Sequence, residues 1–361
     1  MKNNRYFSIL LIVLLIFSVF NSGCQRQGTN DVPPTTTSAT NETPPPASAS
    51  SPDGATSVPS TSSEDETPSP DTSPPDTPPE ETEPTPPAQL FLVYFGDTQA
   101  DPDTGDYSII TELFALAITP EAPPDLVVFG GDIINDGEDA DEWRDFWQAA
   151  APSLGGLTTA ATRGNHDKTT LFADQFTYPA GAPADPAGGY FYSIEADPVF
   201  FIMLDSNIMG AANPHDIEWL EETLKSEAAQ AAAWRIVVMH HPMWPVINYT
   251  NDITRAETMR EHFLPIMEIF GVDLILCGHQ HNYARNLPMS GETTAPPGSS
   301  GIVQIMAASG GKGTYPIGSF DYVTANANAP VYLHITADTA SLTIVTYGQN
   351  GEPIDNLSIT K

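Results

Sequence analysis

The sequence predicts an α/β domain over residues 89–361, in which buried strands alternate with helices, and three observations support that class. Short runs rich in Val, Ile, Leu and Phe recur and each stops at a polar cluster. Capped segments of helical spacing lie between several of them, and the C-terminal third carries further strand patterns. The apolar runs are residues 90–95, 125–129, 235–239 and 272–277, continuous rather than alternating, as strands covered on both faces are. Residues 141–150 and 216–227 have helical spacing, the second after Asn213-Pro214. Residues 190–194 and 199–204 flank Ala196-Asp197-Pro198 as a hairpin, and residues 331–336 and 341–347 are two more strands. No solenoid or propeller period is visible.

The preceding quarter of the chain has a different character. Residues 1–20 start with Lys2 and Arg5 and turn apolar from Phe7 through Phe20, the pattern of an export signal, and the run is short for a membrane-spanning helix. Asn21-Ser22-Gly23-Cys24 follows and resembles the bacterial lipoprotein box, which implies removal of residues 1–23 and lipidation of Cys24. Asn21 stands where the box usually has leucine, so ordinary cleavage near Gly23 and an uncleaved anchor stay open. All three readings export the remainder; the lipidated one anchors it to the cell membrane or outer membrane.

Residues 24–88 read as a Pro/Ser/Thr-rich acidic linker. Beyond Cys24 this stretch has no Phe, Trp or Tyr and only Arg26 against eleven acidic residues, so it cannot bury a core. As a tether it would reach between about 40–50 Å as a coil and roughly 200 Å as a Pro-stiffened rod. Residues 89–361 keep ten Lys and Arg against thirty-five Asp and Glu, a balance that argues against nucleic-acid or anionic-membrane partners. An anionic substrate would need positive charge from elsewhere, and bound metal ions are the obvious source. With Cys24 assigned to the anchor, Cys277 stands alone inside an apolar run and reads as core, leaving no disulfide framework.

Five polar clusters carry the chemistry: Gly96-Asp97-Thr98-Gln99, Gly131-Asp132-Ile133-Ile134-Asn135, Gly164-Asn165-His166-Asp167, His240-His241-Pro242 and Gly278-His279-Gln280-His281. Four directly follow strand candidates, and the carboxyl ends of strands in open α/β sheets form the crevice where ligands bind. Glycine ahead of the polar residue in four clusters lets the backbone turn sharply or approach a neighbour closely. The set offers carboxylates, amide oxygens and imidazoles without a thiolate, a mixture suited to Mn, Fe, Zn or similar divalent ions. Taken singly, each has a plainer reading: Gly-Asp as a turn, Asn-His-Asp as a helix cap, paired histidines as core or surface.

Together and in this order, the clusters resemble the signature of the calcineurin-like metallophosphoesterase superfamily. Asn282-Tyr283-Ala284-Arg285, His240-His241-Pro242-Met243-Trp244 and Gly351-Glu352-Pro353-Ile354-Asp355 resemble its purple acid phosphatase-like branch. The resemblance implies a sandwich of two mixed β-sheets flanked by helices. It also implies that Asp97, Gln99 and His281 bind one metal ion, Asn165, His240 and His279 a second, and that Asp132 bridges them. A water activated between the ions would then attack the phosphate ester. His166 is implied to act on the phosphate or leaving group, with Asp167 either orienting its imidazole or capping a turn. Purple enzymes carry a tyrosine ligand to ferric iron where this chain has Asn135, which implies two divalent ions and no purple chromophore.

Other residues have weaker assignments. Asp205 reads as a support of the site or a turn residue, and Trp244, Tyr249, Tyr283 and Arg285 as pocket walls or packing. His215, His262 and His334 read as structural, and Ser309-Gly310-Gly311-Lys312-Gly313 as a loop near the site that lacks the full phosphate-loop pattern. The expected function is hydrolysis of small phosphomonoesters or phosphodiesters outside the cytoplasm. The alternative is an extracytoplasmic binding lipoprotein that keeps the fold without turnover, against which the complete donor set argues.

Overall fold

Alternation along each strand sorts the core into layers. The computed structural model describes residues 89–177 and 191–361; the leader, Cys24 and the linker lie outside the described residues. One sheet has six strands in the spatial order Pro353–Thr360, Ser341–Gly348, Val331–Ala337, Leu90–Phe95, Leu126–Phe129, Thr159–Ala161. The other has seven, ordered Val323–Ala327, Tyr283–Asn286, Val303–Met306, Leu274–Cys277, Trp234–Met239, Val199–Leu204, Tyr192–Ala196. Both are mixed: in the first the three parallel strands lie at one edge with antiparallel strands beyond Leu90–Phe95, and in the second four parallel strands lie between antiparallel partners on either side.

Side chains on successive residues point to opposite faces of a strand. Leu92, Tyr94, Leu126 and Val128 of the first sheet therefore meet Phe201, Ile236, Val238 and Leu276 of the second in one central core. Val93, Phe95, Val127 and Phe129 face outward, where the helices Ser108–Ala117 and Ala140–Leu154 cover them with Ile110, Phe114, Trp143 and Phe146. Ile202, Val237 and Ile275 are covered likewise by Leu220, Leu224, Ala256 and Met259. The result is the expected two-sheet sandwich flanked by helices.

The expected elements are present with shifted ends. The helix foreseen at 141–150 runs Ala140–Leu154, its amide groups at Asp141 and Glu142 donating to the Asp139 side chain. That foreseen at 216–227 runs Pro214–Lys225, capped by Asn213, and stops early because Ser226 turns extended and caps a separate helix, Glu227–Ala231. The first hairpin strand is Tyr192–Ala196, and Tyr190 lies outside the described residues. Cys277 is a buried free cysteine, as its apolar setting predicts. Among the described residues no helix is long and apolar enough to cross a membrane.

Two interactions fasten the sheets together at the end where the polar clusters emerge. Thr162, after the Thr159–Ala161 strand, donates to Leu204 O at 2.6 Å, and Arg163 Nε donates to Asp205 Oδ2 at 2.7 Å. Asp205 is fully buried and also caps the short helix Ser206–Met209, so both of its expected roles are met by one side chain. Removing one partner of a buried ion pair strands the other charge. Arg163→Met is therefore expected to lower the unfolding free energy by about 3–5 kcal/mol. The measurement is the urea midpoint at unchanged slope, and a loss under about 1 kcal/mol would place the pair with exposed ones.

Candidate metal centre

Each polar cluster sits where a parallel strand ends. Leu90–Phe95 leads into Asp97 and Gln99, Leu126–Phe129 into Asp132, and Thr159–Ala161 into Asn165 and His166. From the other sheet, Trp234–Met239 leads into His240 and Leu274–Cys277 into His279 and His281. Backbone bonds lock the loops edge to edge: Asp97 N donates to Gly131 O at 2.9 Å, and Gly278 N donates to His240 O at 3.0 Å. His279 N reaches across the sandwich and donates to the Asp97 carboxylate at 2.9 Å.

Two of the cluster glycines are needed for approach between loops. A Cβ on Gly164 would lie 2.2 Å from Asp132 Oδ1, and one on Gly278 would lie 2.1 Å from Asp97 Oδ2. Any larger residue would push a carboxylate out of place. Asp97, Asp132, His279 and His281 themselves adopt left-handed backbone, with φ of 46°, 51°, 73° and 42°. Residues held in such sparsely populated conformations concentrate at functional sites, where surrounding bonds fix them.

Donor atoms of Asp132, His240 and His279 lie within 4.8 Å of one another, and so do those of Asp97, Asp132 and His281. Asp132 is common to both groups. Gln99 Oε1 is buried and has no hydrogen-bond partner, and His240 Nε2, also buried, faces Asp132 Oδ2 at 3.3 Å. The other end of each side chain is occupied: His240 Nδ1 contacts Gly130 O at 2.9 Å, and Gln99 Nε2 donates to Ile134 O at 3.2 Å. Buried polar atoms without partners are costly unless something else satisfies them. An unpartnered amide oxygen beside two carboxylates and several imidazoles fits divalent cations.

Electrostatics set the carboxylates and imidazoles of the centre against one another. Burial, reinforced by Asp132, pushes the Asp97 carboxyl up to about 8. Burial alone would lower His240, but the Asp132 and Asp97 carboxylates outweigh it and raise the imidazole to about 9. Burial lowers His279 and takes His281 down to about 4, keeping both in the neutral form that can ligate a metal.

A cavity of about 540 Å³ opens on the centre, walled by Asn165, His166, Tyr249, Asp252, Lys312 and Tyr315. His166 Nδ1 contacts Asn135 O at 2.6 Å, and its Nε2 contacts Lys312 Nζ at 2.7 Å. Asp167 does not orient that ring. Its two oxygens accept from the backbone N–H groups of Ile133 and Gly164, both at 2.9 Å, so it ties the second and third loops together. Asn135, in the position of the purple enzymes' tyrosine, turns its amide nitrogen to Ala100 O.

Of the four residues read as pocket walls or packing, three pack and one walls the cavity. Tyr283 and Arg285 do not wall the cavity; both bond Asp355, joining the strand Tyr283–Asn286 to Pro353–Thr360 of the opposite sheet. Trp244 is buried with its indole N–H donated to Gly291 O. Tyr249 does line the cavity. His241, next to His240 in the same cluster, belongs to neither donor group and bonds Ser206 through Nδ1 at 2.9 Å.

Two residues at the centre have no assignment from the sequence. Asp252, at the start of the helix Thr250–His262, contacts His279 Nε2 at 3.0 Å and accepts from Gln280 Nε2 at 2.7 Å. Its surroundings in sequence show no apolar run or glycine. Lys312 belongs to the glycine-rich loop expected near the site, and the Ser-Gly-Gly-Lys-Gly composition was the available signal.

Comparison with known proteins agrees with this geometry. The calcineurin-like phosphoesterase model matches residues 92–283, more than half of the chain. Purple acid phosphatase 15 of Arabidopsis thaliana is 28% identical over 115 residues, which is 32% of this chain and 21% of that protein. An uncharacterized protein of Mycobacterium tuberculosis is 24% identical over 222 residues, 55% of this chain and 40% of that one. The chain thus spans well under half the length of these relatives. The solved structure of purple acid phosphatase PPD1 from yellow lupin (Lupinus luteus) seeds superimposes with a TM-score of 0.66 at 18% identity, covering 76% of this chain and 54% of that one. At that identity the likeness is one of fold. On the matched length and the sandwich that carries it, the chain belongs to the calcineurin-like phosphoesterase family.

Proposed function

We propose that this domain hydrolyses phosphate esters at a centre of two divalent ions, outside the cytoplasm. The observation that carries the proposal is the pair of donor groups sharing Asp132 at the base of an open cavity. A carboxylate has two oxygens and a full charge, which suits it to lie between two dications. Asp97, Gln99 and His281 would hold one ion and Asn165, His240 and His279 the other. When bound, the ions would supply the Lewis acidity and water activation that ester hydrolysis needs.

The chain's own residues then divide the remaining tasks. Asp132 fixes the spacing of the two groups and accepts from His166 N at 2.8 Å, which places the His166 ring over the centre. The contact of Nδ1 with Asn135 O turns Nε2 toward the cavity, where it can meet the phosphate or the leaving group. Asp252 orients His279 through its far nitrogen, as carboxylates commonly do for ligating imidazoles. A binding protein without turnover has no need of this arrangement around a reacting group.

The membrane-facing part of the proposal rests on the sequence: the basic and apolar start, Asn21-Ser22-Gly23-Cys24, and a linker too polar to fold. A lipid at Cys24 would hold the enzyme at a membrane while the linker lets the domain reach substrate.

Three outcomes are expected. Asp132→Ala should lose both ions by elemental analysis while remaining folded; two ions retained would refute the bridging role. Asp252→Ala should lower metal affinity about 10–100-fold, followed by a chelator series, whereas Asp252→Asn should recover part of it; an affinity equal to wild type would leave Asp252 a capping residue only. Cys24→Ser should move the protein from the membrane pellet to the soluble extracytoplasmic fraction and abolish labelling by a fatty-acid probe. Unchanged fractionation would favour an uncleaved anchor.

A further inference from the structure

The cavity is rich in acidic and ligating groups, yet one of its walls carries a cation. Lys312 is the only lysine or arginine among the residues that line it. That is notable in a domain with ten basic against thirty-five acidic residues. Among the described residues Lys312 forms no ion pair; its recorded partner is His166 Nε2 at 2.7 Å. An ammonium has three donors and no acceptor, so it must donate there, and His166 Nδ1–H must donate to Asn135 O. The cation is therefore parked on a neutral nitrogen at the cavity wall with further N–H groups to offer.

Its position is set by the backbone. Gly310 N donates to Asp97 O at 2.8 Å, Gly311 N donates to Gln99 O at 2.7 Å, and Gly313 O contacts His281 Nδ1 at 3.0 Å. Residues 310–313 are thus bound on both sides to loops that supply proposed metal ligands. A Cβ on Gly310 would lie 2.4 Å from Asp97 O, so this close contact requires glycine. Lysine is only half-buried there, long enough to reach a ligand in the cavity and near enough to meet one held over Asp132.

We infer that Lys312 binds a non-bridging oxygen of the substrate's phosphate and thereby favours dianionic monoesters over monoanionic diesters. The inference rests on the phosphoesterase reading of the site and names a substrate-binding residue within it. Two physical arguments support it. Exchange of a neutral imidazole nitrogen for an anionic phosphate oxygen adds the attraction of an opposite charge to a hydrogen bond whose donor is already ionised. The attraction of a fixed cation also scales with ligand charge, so a dianion gains about twice what a monoanion gains.

The test uses the full chain loaded with metal, comparing wild type, Lys312→Met and Lys312→Arg at about pH 8, where a phosphomonoester is a dianion. Lys312→Met should raise KM for phenyl phosphate about tenfold or more. For methyl phenyl phosphate the loss in kcat/KM should be about threefold, the square root that half the charge implies. Lys312→Arg should recover most of the monoester activity. Titration calorimetry supplies a readout without turnover: inorganic phosphate should bind Lys312→Met about tenfold more weakly, with dimethyl phosphate affected about threefold. Equal losses on both esters, or unchanged phosphate binding in a variant that melts like wild type, would overturn the inference. A wild type that hydrolyses neither ester would sink the phosphoesterase reading instead, and the calorimetry would still decide on Lys312.

Discussion

Two carboxylates buried side by side, Asp97 and Asp132, impose the constraint on which the rest of the site depends. Both are almost wholly removed from water, and like charges so placed cannot both ionise without help. The chain supplies that help in part. His240 is raised to about 9, its proton favoured by Asp132, and Asp132 is held below the usual carboxylate range despite a burial that opposes it. Asp97 is left with the proton that burial favours, up to about 8. Asp167, buried in the same loops, is pushed up to about 7 by the same cause. The two carboxylates are thus accommodated by protons, one on Asp97 and one on His240. Divalent cations could take the place of those protons.

The same crowding appears in the backbone. Among the described residues, non-glycine positions with left-handed φ are Asp97, Asp132, Ala212, His279 and His281, and four of these five belong to the donor groups. Each such residue costs on the order of 1–3 kcal/mol. That cost persists only where neighbours overdetermine the conformation. Here they do so through Asp167, which clamps Ile133 and Gly164, through His279 N on the Asp97 carboxylate, and through the Arg163–Asp205 pair beneath. Asp167 thus contributes to the centre by shaping the main chain, a role that its place beside His166 in the sequence conceals.

What was legible in the sequence is what local chemistry controls. Asp97, Asp132, His279 and His281 each follow a buried strand that ends at glycine, and His240 follows its strand directly, while their assignment as ligands came from the resemblance of the clusters taken together. Thr159–Ala161 left none, because three small residues make too short a run, and its cluster had to be recognised by Gly164-Asn165-His166-Asp167 alone. Asp252 was illegible, and Lys312 was legible only as part of a loop near the site, for another reason. They reach the centre from a helix start and an irregular loop, so only tertiary packing sets them beside His279 and His166. Tyr283 and Arg285 could be read only as pocket wall or packing, because aromatic and basic residues after a ligand motif suit either. Their partner Asp355 lies seventy or more residues away on the opposite sheet.

Each donor group draws on both sheets. Asp132 comes from the first sheet and meets His240 and His279 from the second, while Asp97 and Asp132 meet His281. The distance between the groups is therefore set by the central core, where Leu92, Tyr94 and Val128 pack against Ile236, Val238 and Leu276. Close-packed interiors do not deform continuously, so this core holds the two sheet edges at a fixed separation. A sandwich achieves with packed side chains what a single sheet could do only with long loops. It also means that ions bound here would staple the two halves together, because every ligand set spans the interface between them. Binding and folding would then be linked through the same contacts, with the apolar core fixing the spacing that the carboxylates require.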